Sequence, residues 1–159
     1  MSVEVKSATS VIDSLSLVEC ADILATFDKA TVEQVPGQIA LRLSVHPKTA
    51  LWPDMEVRLF FHDNFGRLTP LAGRFNGLDL SLAVADGKVC SEAELGRINA
   101  SWDAANADEC SSKFTLDPVN GKLKLKYSLL LIGGVTREHV TGMVAMIWNH
   151  SRAVDKFIG

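Results

Sequence analysis

Three segments in which apolar and polar residues alternate constrain the fold of this chain more than any other feature. Residues 39–45, 55–61 and 78–84 each place an apolar side chain at every second position. Such alternation predicts strands that bury one face. Because the connections between the segments are short and rich in turn-forming residues, we predict that the strands pair in an antiparallel sheet.

Two capping boxes predict where helices begin. The Ser-x-x-Glu boxes at 16–19 and 91–94 have the spacing that satisfies free amide groups at a helix start. Apolar residues recur at helical spacing behind both boxes. We therefore predict a first helix over about 17–28 and a second over about 92–106.

Two more strands and a third helix follow. Residues 112–116 and 122–132 flank a loop rich in Pro, Asn and Gly, which predicts a hairpin. Thr136 is expected to cap the N-terminus of a last helix over about 137–157. The predicted order is therefore helix, three strands, helix, two strands, helix.

This order predicts an α+β fold, in which an antiparallel sheet is packed by helices on one face. A doubly wound sheet would need a more regular alternation of strands and helices. A chain of 159 residues fits one domain. We place that domain at residues 10–159, after a loose N-terminal segment at 1–9.

Composition excludes several classes of protein. The chain is 47% hydrophobic and 22% charged with a net charge of -3, as in an ordinary globular protein. Its concentrated positive charge, the +3 of residues 111–126, is too small for a nucleic-acid interface. The sequence has no apolar run of about 18 residues and no secretion leader. We therefore expect a cytoplasmic protein without a nucleic-acid or membrane partner.

Short catalytic and metal-binding motifs are missing from the sequence. It has no nucleophile elbow, no phosphate-binding glycine loop and no histidine or cysteine pair with zinc spacing. An active site would need distant residues such as His62, Asp63 and Cys90 to converge. We therefore expect no enzymatic activity, no catalytic or metal-binding residue and no cofactor.

A row of lysines is the first candidate for binding. Lys122, Lys124 and Lys126 project from one face of a predicted strand. In one interpretation this row contacts an anion or an acidic peptide. In the other it is a solvated face, or an edge strand in which lysine discourages unwanted pairing.

Two more features are candidates for binding. Gly133 and Gly134 lie between a strand and a helix, where backbone amides can hold an anion but where a tight turn also needs glycine. Trp52 lies in a loop, where an aromatic side chain can anchor a partner. Trp102 and Trp148 lie on helix faces, where we expect core packing.

One combination of residues resembles a known family. A helix with Ile98, Asn99 and Trp102 precedes a hairpin that ends in Gly-Gly-Val-Thr at 133–136, and Trp148 lies in the last helix. This combination resembles the YbjN family of proposed bacterial sensory-transduction regulators.

The resemblance covers about residues 90–158 and includes departures from the family pattern. Trp102 follows Ile98 by four residues rather than three, and the hairpin is rich in lysine where relatives tend to be acidic. The resemblance implies a mainly structural role for the residues of the pattern: Ile98, Asn99, Trp102, Thr136 and Trp148.

The same resemblance implies a fold like that of type III secretion chaperones. It also implies a non-enzymatic, chaperone-like or regulatory role, with a protein or extended peptide as partner and a homodimer as assembly. The alternative is a sensor of a small anionic molecule. That ligand would lie beside Gly133-Gly134, or beside Arg67 and Arg74.

Overall fold

A computed structural model describes residues 11–47, 52–63, 72–84, 88–105 and 112–153. Residues 1–9, predicted to be loose, lie outside this part of the chain. The described residues form three helices and eight strands, in the order β1 (Val11–Ile12), α1 (Leu17–Leu24), β2 (Ala30–Gln34), β3 (Ala40–Val45), β4 (Met55–Phe60), β5 (Gly77–Ala83), α2 (Glu92–Ala105), β6 (Lys113–Leu116), β7 (Leu123–Leu130), β8 (Val135–Thr136) and α3 (Arg137–Ala153).

Six of the strands form one antiparallel sheet in the order β2-β3-β4-β5-β7-β6, and β1 pairs with β8 in a separate two-stranded ribbon. One face of the sheet carries the alternating apolar residues, such as Leu43, Val57 and Leu80, which are fully buried. Buried residues of the three helices join the same core, among them Ile23 and Val144. The predicted α+β fold, an antiparallel sheet packed by helices on one face, is confirmed.

Local capping fixes the helix starts. In α1 the Ser16 hydroxyl accepts a hydrogen bond from the Glu19 N–H at 3.1 Å, and the Glu19 carboxylate accepts one from the Ser16 N–H at 3.0 Å. The second box repeats this arrangement ahead of α2. The Thr136 hydroxyl accepts from the His139 N–H at 3.0 Å, which confirms it as the cap of α3.

The first helix is shorter than predicted. It ends at Leu24 rather than near 28, because the Thr26 and Phe27 N–H groups donate to carbonyls three residues back, those of Ile23 and Leu24, and no longer continue the α-helical pattern. The chain then turns towards β2 through Lys29, whose φ is 58°. A lysine in this left-handed conformation cannot continue a right-handed helix. The second helix ends within one residue of its prediction, and the predicted end of the third lies outside the described residues.

The predicted order is incomplete, because the structure adds three strands. β2 has a single large apolar residue, so its sequence does not alternate clearly. Its pairing with β3, in which Glu33 lies opposite Arg42, makes it a strand. β1 and β8 contain two residues each and pair only with one another.

Aromatic contacts attach α2 to the sheet and α3 to the turn between α1 and β2. Trp102 of α2 meets Phe114 of β6 edge to face, with ring centroids 5.1 Å apart. Trp148 of α3 meets Phe27 in the same way at 5.5 Å. Edge-to-face contacts of this kind add to the stabilisation from burial. Both tryptophans therefore lie in the core, at 1% exposure each.

Candidate functional site

The sheet face opposite the helices, called the open face below, is polar. Register places one side chain from each of five neighbouring strands in a row across it. No described helix contributes a side chain to this row. The side chains of the row are half-exposed or exposed. The row consists of Arg42, Glu56, Ser81, Lys126 and Lys113.

Opposite charges on the open face are paired within β4. The Arg58 guanidinium lies 3.0 Å from the Glu56 carboxylate. It also donates a hydrogen bond to the side-chain carbonyl of Gln38. Because Arg58 is about half-exposed, the ion pair fixes the position of its guanidinium but contributes little to the stability of the fold.

Two of the three candidate lysines are also paired with carboxylates. Lys124 lies 3.2 Å from Asp117, and Lys126 lies 3.6 Å from Asp79. A hydrogen bond from the Val119 N–H, followed by the contact with Lys124, holds the pKa of Asp117 below its ordinary value. Asp117 therefore stays ionised at neutral pH, and the local charges cancel.

A groove of about 550 Å³ lies on the open face between these charged pairs and the loop that joins β6 to β7. On the loop side its wall includes Val119, whose side chain is 93% exposed. An apolar side chain that is so exposed next to a groove is a candidate anchor for a partner. The groove therefore combines charges of both signs with an exposed apolar wall.

One end of the open face is apolar. Phe60, Gly77 and Leu130 are cross-strand neighbours in β4, β5 and β7. A Cβ atom at Gly77 would overlap the ring of Phe60, so the ring lies over the glycine backbone. Leu130 is 42% exposed beside it. A partner that crosses the open face therefore meets a charged centre and an apolar end.

The edge-strand interpretation of the lysines is wrong. β7 lies between β5 and β6, so its backbone groups pair on both sides. The position of β7 between β5 and β6 depends on pairing between residues far apart in the sequence, so no local pattern predicts it. Lys122 is exposed just before β7, and no described residue forms an ion pair with it.

Gly133 and Gly134 form a tight turn. Their φ angles are 89° and 91°, and the Gly134 N–H donates to the Leu131 carbonyl at 2.8 Å. A Cβ atom at Gly134 would overlap the side chain of Val11. Position 134 therefore requires glycine for two reasons: its φ is positive, and Val11 of β1 lies too close for a Cβ atom. Anion binding at this turn stays a prediction.

Trp52 is half-buried beside α3. Its ring meets Trp148 edge to face at 5.5 Å, and the guanidinium of Arg152 lies over the ring at 4.0 Å. This cation–π contact covers one face of the indole. A partner that used Trp52 as an anchor would have to displace Arg152 from that face.

The residues of the family pattern on α2 hold the outer edge of β6. The Asn99 side chain donates to the Phe114 carbonyl at 3.0 Å and accepts from the Phe114 N–H at 2.8 Å. The Trp102 indole donates to the Ser112 carbonyl at 3.1 Å. Ile98 is buried beneath them. In α3, Trp148 donates to a loop carbonyl, that of Pro53, at 3.0 Å.

Sequence reasoning missed a second asparagine with the same geometry. Asn76 is 3% exposed; its side chain accepts from the His62 N–H at 2.6 Å and donates to the His62 carbonyl at 2.9 Å. It ties the end of β4 to the start of β5. A single asparagine beside a glycine carries no motif that could have revealed this role.

Arg74 lines a second cleft, of about 600 Å³, between β1, α1 and the start of α3. Its guanidinium is already engaged by Glu19 at 2.7 Å and by the Ser14 carbonyl at 3.0 Å. Arg67 lies outside the described residues. The cleft contains more carboxylates than cations, which disfavours an anionic ligand: Asp13, Glu19, Asp22 and Glu138 against Arg74 and Arg137.

The structure does not bring His62 and Cys90 together. His62 is tied to Asn76 at the start of β5, whereas the Cys90 N–H bonds to the Gly121 carbonyl near the other end of that strand. The seven residues of β5 separate them by roughly 20 Å. Among the described residues there is also no group of three or more side chains that could hold a metal ion.

Comparisons with known proteins support the fold. No family model and no curated protein sequence matches the chain. Within the described residues, no helix is long and apolar enough to cross a membrane. The structure is similar to the crystal structure of YbjN, described as a proposed transcription regulator from E. coli, with 19% identity and a TM-score of 0.55 over 94% of this chain and 92% of that one. The chain therefore has a YbjN-like fold.

Proposed function

We propose that this chain is a non-enzymatic, chaperone-like or regulatory domain that binds a protein or an extended peptide on the open face of its sheet. The YbjN-like fold supports a regulatory setting, because the structural neighbour is described as a regulator. The resemblance in the second half of the chain suggests bacterial signalling or stress response.

The observation that carries this proposal is the groove of about 550 Å³ on the open face. Ion pairs within the groove wall hold Lys124 and Lys126 in place without leaving a net charge. A segment that carries both polar and apolar side chains matches such a wall better than a simple anion does. The exposed side chain of Val119 offers that segment an apolar contact.

A sensor of small anions is the weaker alternative. Three of its cationic candidates, Arg74, Lys124 and Lys126, each contact a carboxylate. An anion at these three would have to displace the carboxylates, which lowers its affinity. Lys122 has no ion pair with a described residue, and Arg67 lies outside the described residues.

The experiment is quantitative affinity capture with the wild-type chain and with Val119→Asp. Val119 is almost fully exposed, so the substitution leaves the fold intact. We expect the captured partner to decrease several-fold, because a charge replaces the apolar contact. Val18→Asp is the matched control, since Val18 is an exposed valine on α1, away from the open face. Equal capture by Val119→Asp and Val18→Asp would rule out the groove as the binding site.

A further inference from the structure

Hydrogen bonds fix the loop that joins β6 to β7 beside the groove. The Asp117 carboxylate accepts hydrogen bonds from the Val119 N–H at 2.8 Å and from the Asn120 N–H at 3.3 Å. The Asn120 side chain accepts one from the Lys122 N–H at 2.9 Å. The Gly121 N–H donates to the Asp117 carbonyl at 2.8 Å. These bonds hold the exposed side chain of Val119 in one place, so a partner that contacts it loses little entropy in ordering the loop.

Val89 adds a second exposed valine beside this loop. It pairs with Lys122 in an antiparallel bridge, so the two side chains lie on the same face. A Cβ atom at Gly121 would lie 3.5 Å from the Val89 side chain, which places that side chain against the loop. Lys122 shares its face with Lys124, because alternate residues of a strand point the same way. Val89, at 62% exposure, therefore lies on the open face next to the groove.

Lys122 carries a positive charge that no described residue neutralises in an ion pair. Its main chain is bonded to Asp117, whose N–H donates to the Lys122 carbonyl at 2.8 Å. The Asp117 carboxylate, however, contacts Lys124 at 3.2 Å. The loop end of the open face, formed by Val89, Val119 and Lys122, therefore combines two exposed valines with one unpaired cation.

We propose that the segment bound on the open face carries an acidic side chain next to an apolar one. The carboxylate of this segment pairs with Lys122, and the apolar side chain packs against Val89 and Val119. Opposite charge and exposed apolar surface in the same place favour such a pair of side chains, whereas a basic residue there is repelled. This inference rests on the proposed function, because it names the chemistry of the segment bound at the same site.

The acidic preference belongs to the loop end of the open face. In the centre of the groove, Lys126 is paired with Asp79 at 3.6 Å. Arg58 is paired with Glu56 at 3.0 Å. Pairs of this kind attract an acidic residue no more than a basic one. A peptide also fits the loop end better than an anionic membrane does, because membrane surfaces hold proteins through clusters of lysine and arginine.

The test begins with selection from a phage library of random dodecapeptides, with the purified wild-type chain and with Lys122→Glu as targets. Lys122 is exposed and bonds to the loop through its backbone, so the substitution leaves the loop intact. We expect the wild-type chain to select peptides in which Asp or Glu adjoins an apolar residue. We expect Lys122→Glu to select Lys or Arg at that position instead.

The strongest wild-type peptide is then titrated by fluorescence anisotropy. Its Kd should rise about tenfold with Lys122→Glu. The rise should be smaller with Lys122→Gln, which removes the charge without reversing it. Exchanging the acidic residue of the peptide for lysine should restore binding to Lys122→Glu.

Arg97→Glu is the matched control, because it changes the net charge by the same amount at an exposed position of α2 and should leave Kd unchanged. Selected peptides without an acidic preference would overturn this inference but not the groove. So would an equal rise of Kd in Lys122→Glu and Arg97→Glu. Binding to phosphatidylglycerol vesicles that Lys122→Glu abolishes would assign the loop end to a membrane instead. A library that yields no peptide for the wild-type chain would overturn the proposed function as well.

Discussion

The ring of Phe60 lies over the backbone of Gly77, its cross-strand neighbour on the open face. Only a residue without a side chain leaves room for the ring in this position. The aromatic ring in turn shields the glycine backbone, which has no side chain of its own, from water. The relationship explains why β5 begins with glycine, and it builds the apolar end of the candidate binding face.

We therefore expect Gly77→Ala to lower the free energy of unfolding by about 1–3 kcal/mol, because the added methyl group displaces the ring. Urea denaturation measures the change. The loss should shrink when Phe60→Leu removes the ring from the same background. An equal loss in both backgrounds would show that the ring and the glycine do not interact.

Asn99 is expected to stabilise the edge of the sheet. Asn99→Ala leaves the N–H and carbonyl of Phe114 without their partners, so we expect a loss of about 1–3 kcal/mol. The Phe114 amide should also exchange faster with solvent, which NMR detects. Ser101→Ala, at an exposed position of the same helix, is the control. Unchanged exchange at Phe114 would contradict the role of Asn99.

Glu19 is expected to make the stability of α1 depend on pH. The Ser16 N–H and the Arg74 guanidinium lower the pKa of its carboxyl from the ordinary 4.5. A group whose pKa is lowered by folding stabilises the fold above its unfolded pKa and loses this effect as the pH falls through its folded pKa. Glu19→Gln should therefore lower stability at pH 7, by less than about 1 kcal/mol since the pair is exposed.

The difference between wild type and Glu19→Gln should begin to shrink as the pH falls below 4.5 and vanish once the pH is below the lowered pKa of the folded chain; paired unfolding curves across pH measure it. A difference that is constant from pH 7 to pH 3 would exclude the carboxylate as its source.

Cys20 is expected to be chemically inert in the folded chain. Burial raises the pKa of its thiol to about 12, so the reactive thiolate is not formed at neutral pH. Alkylation with iodoacetamide at pH 8, followed by peptide mass spectrometry, should modify Cys20 only after a denaturant is added. Rapid labelling without denaturant would show that α1 opens under native conditions.

The sequence predicts the elements whose signals are local. Ser16 with Glu19 and Ser91 with Glu94 mark helix starts because a capping box involves neighbouring residues alone. Strands with one buried face show clear alternation. β2 shows none, since pairing with β3 rather than its own composition makes it a strand.

The candidate site is less visible in the sequence, because it depends on strand order. Lys124 and Lys126 share a face as predicted, but the carboxylates that neutralise them, Asp117 and Asp79, come from a loop and from another strand. The bonds of Asn99 to the backbone of Phe114 likewise join a helix to a strand 15 residues further along the chain. Such contacts exist only after the sheet has formed, so no local motif predicts them.

The central claim, that a protein partner binds on the open face, is tested most directly by site-specific photo-crosslinking in the native host. A photoreactive benzophenone amino acid is placed at Ser81 on the open face. The control places it at Arg97, an exposed residue of α2. We expect Ser81 to yield a crosslinked protein that Arg97 does not, and we expect Val119→Asp to reduce its yield several-fold. Crosslinks from Arg97 alone, or none from Ser81, would contradict the claim.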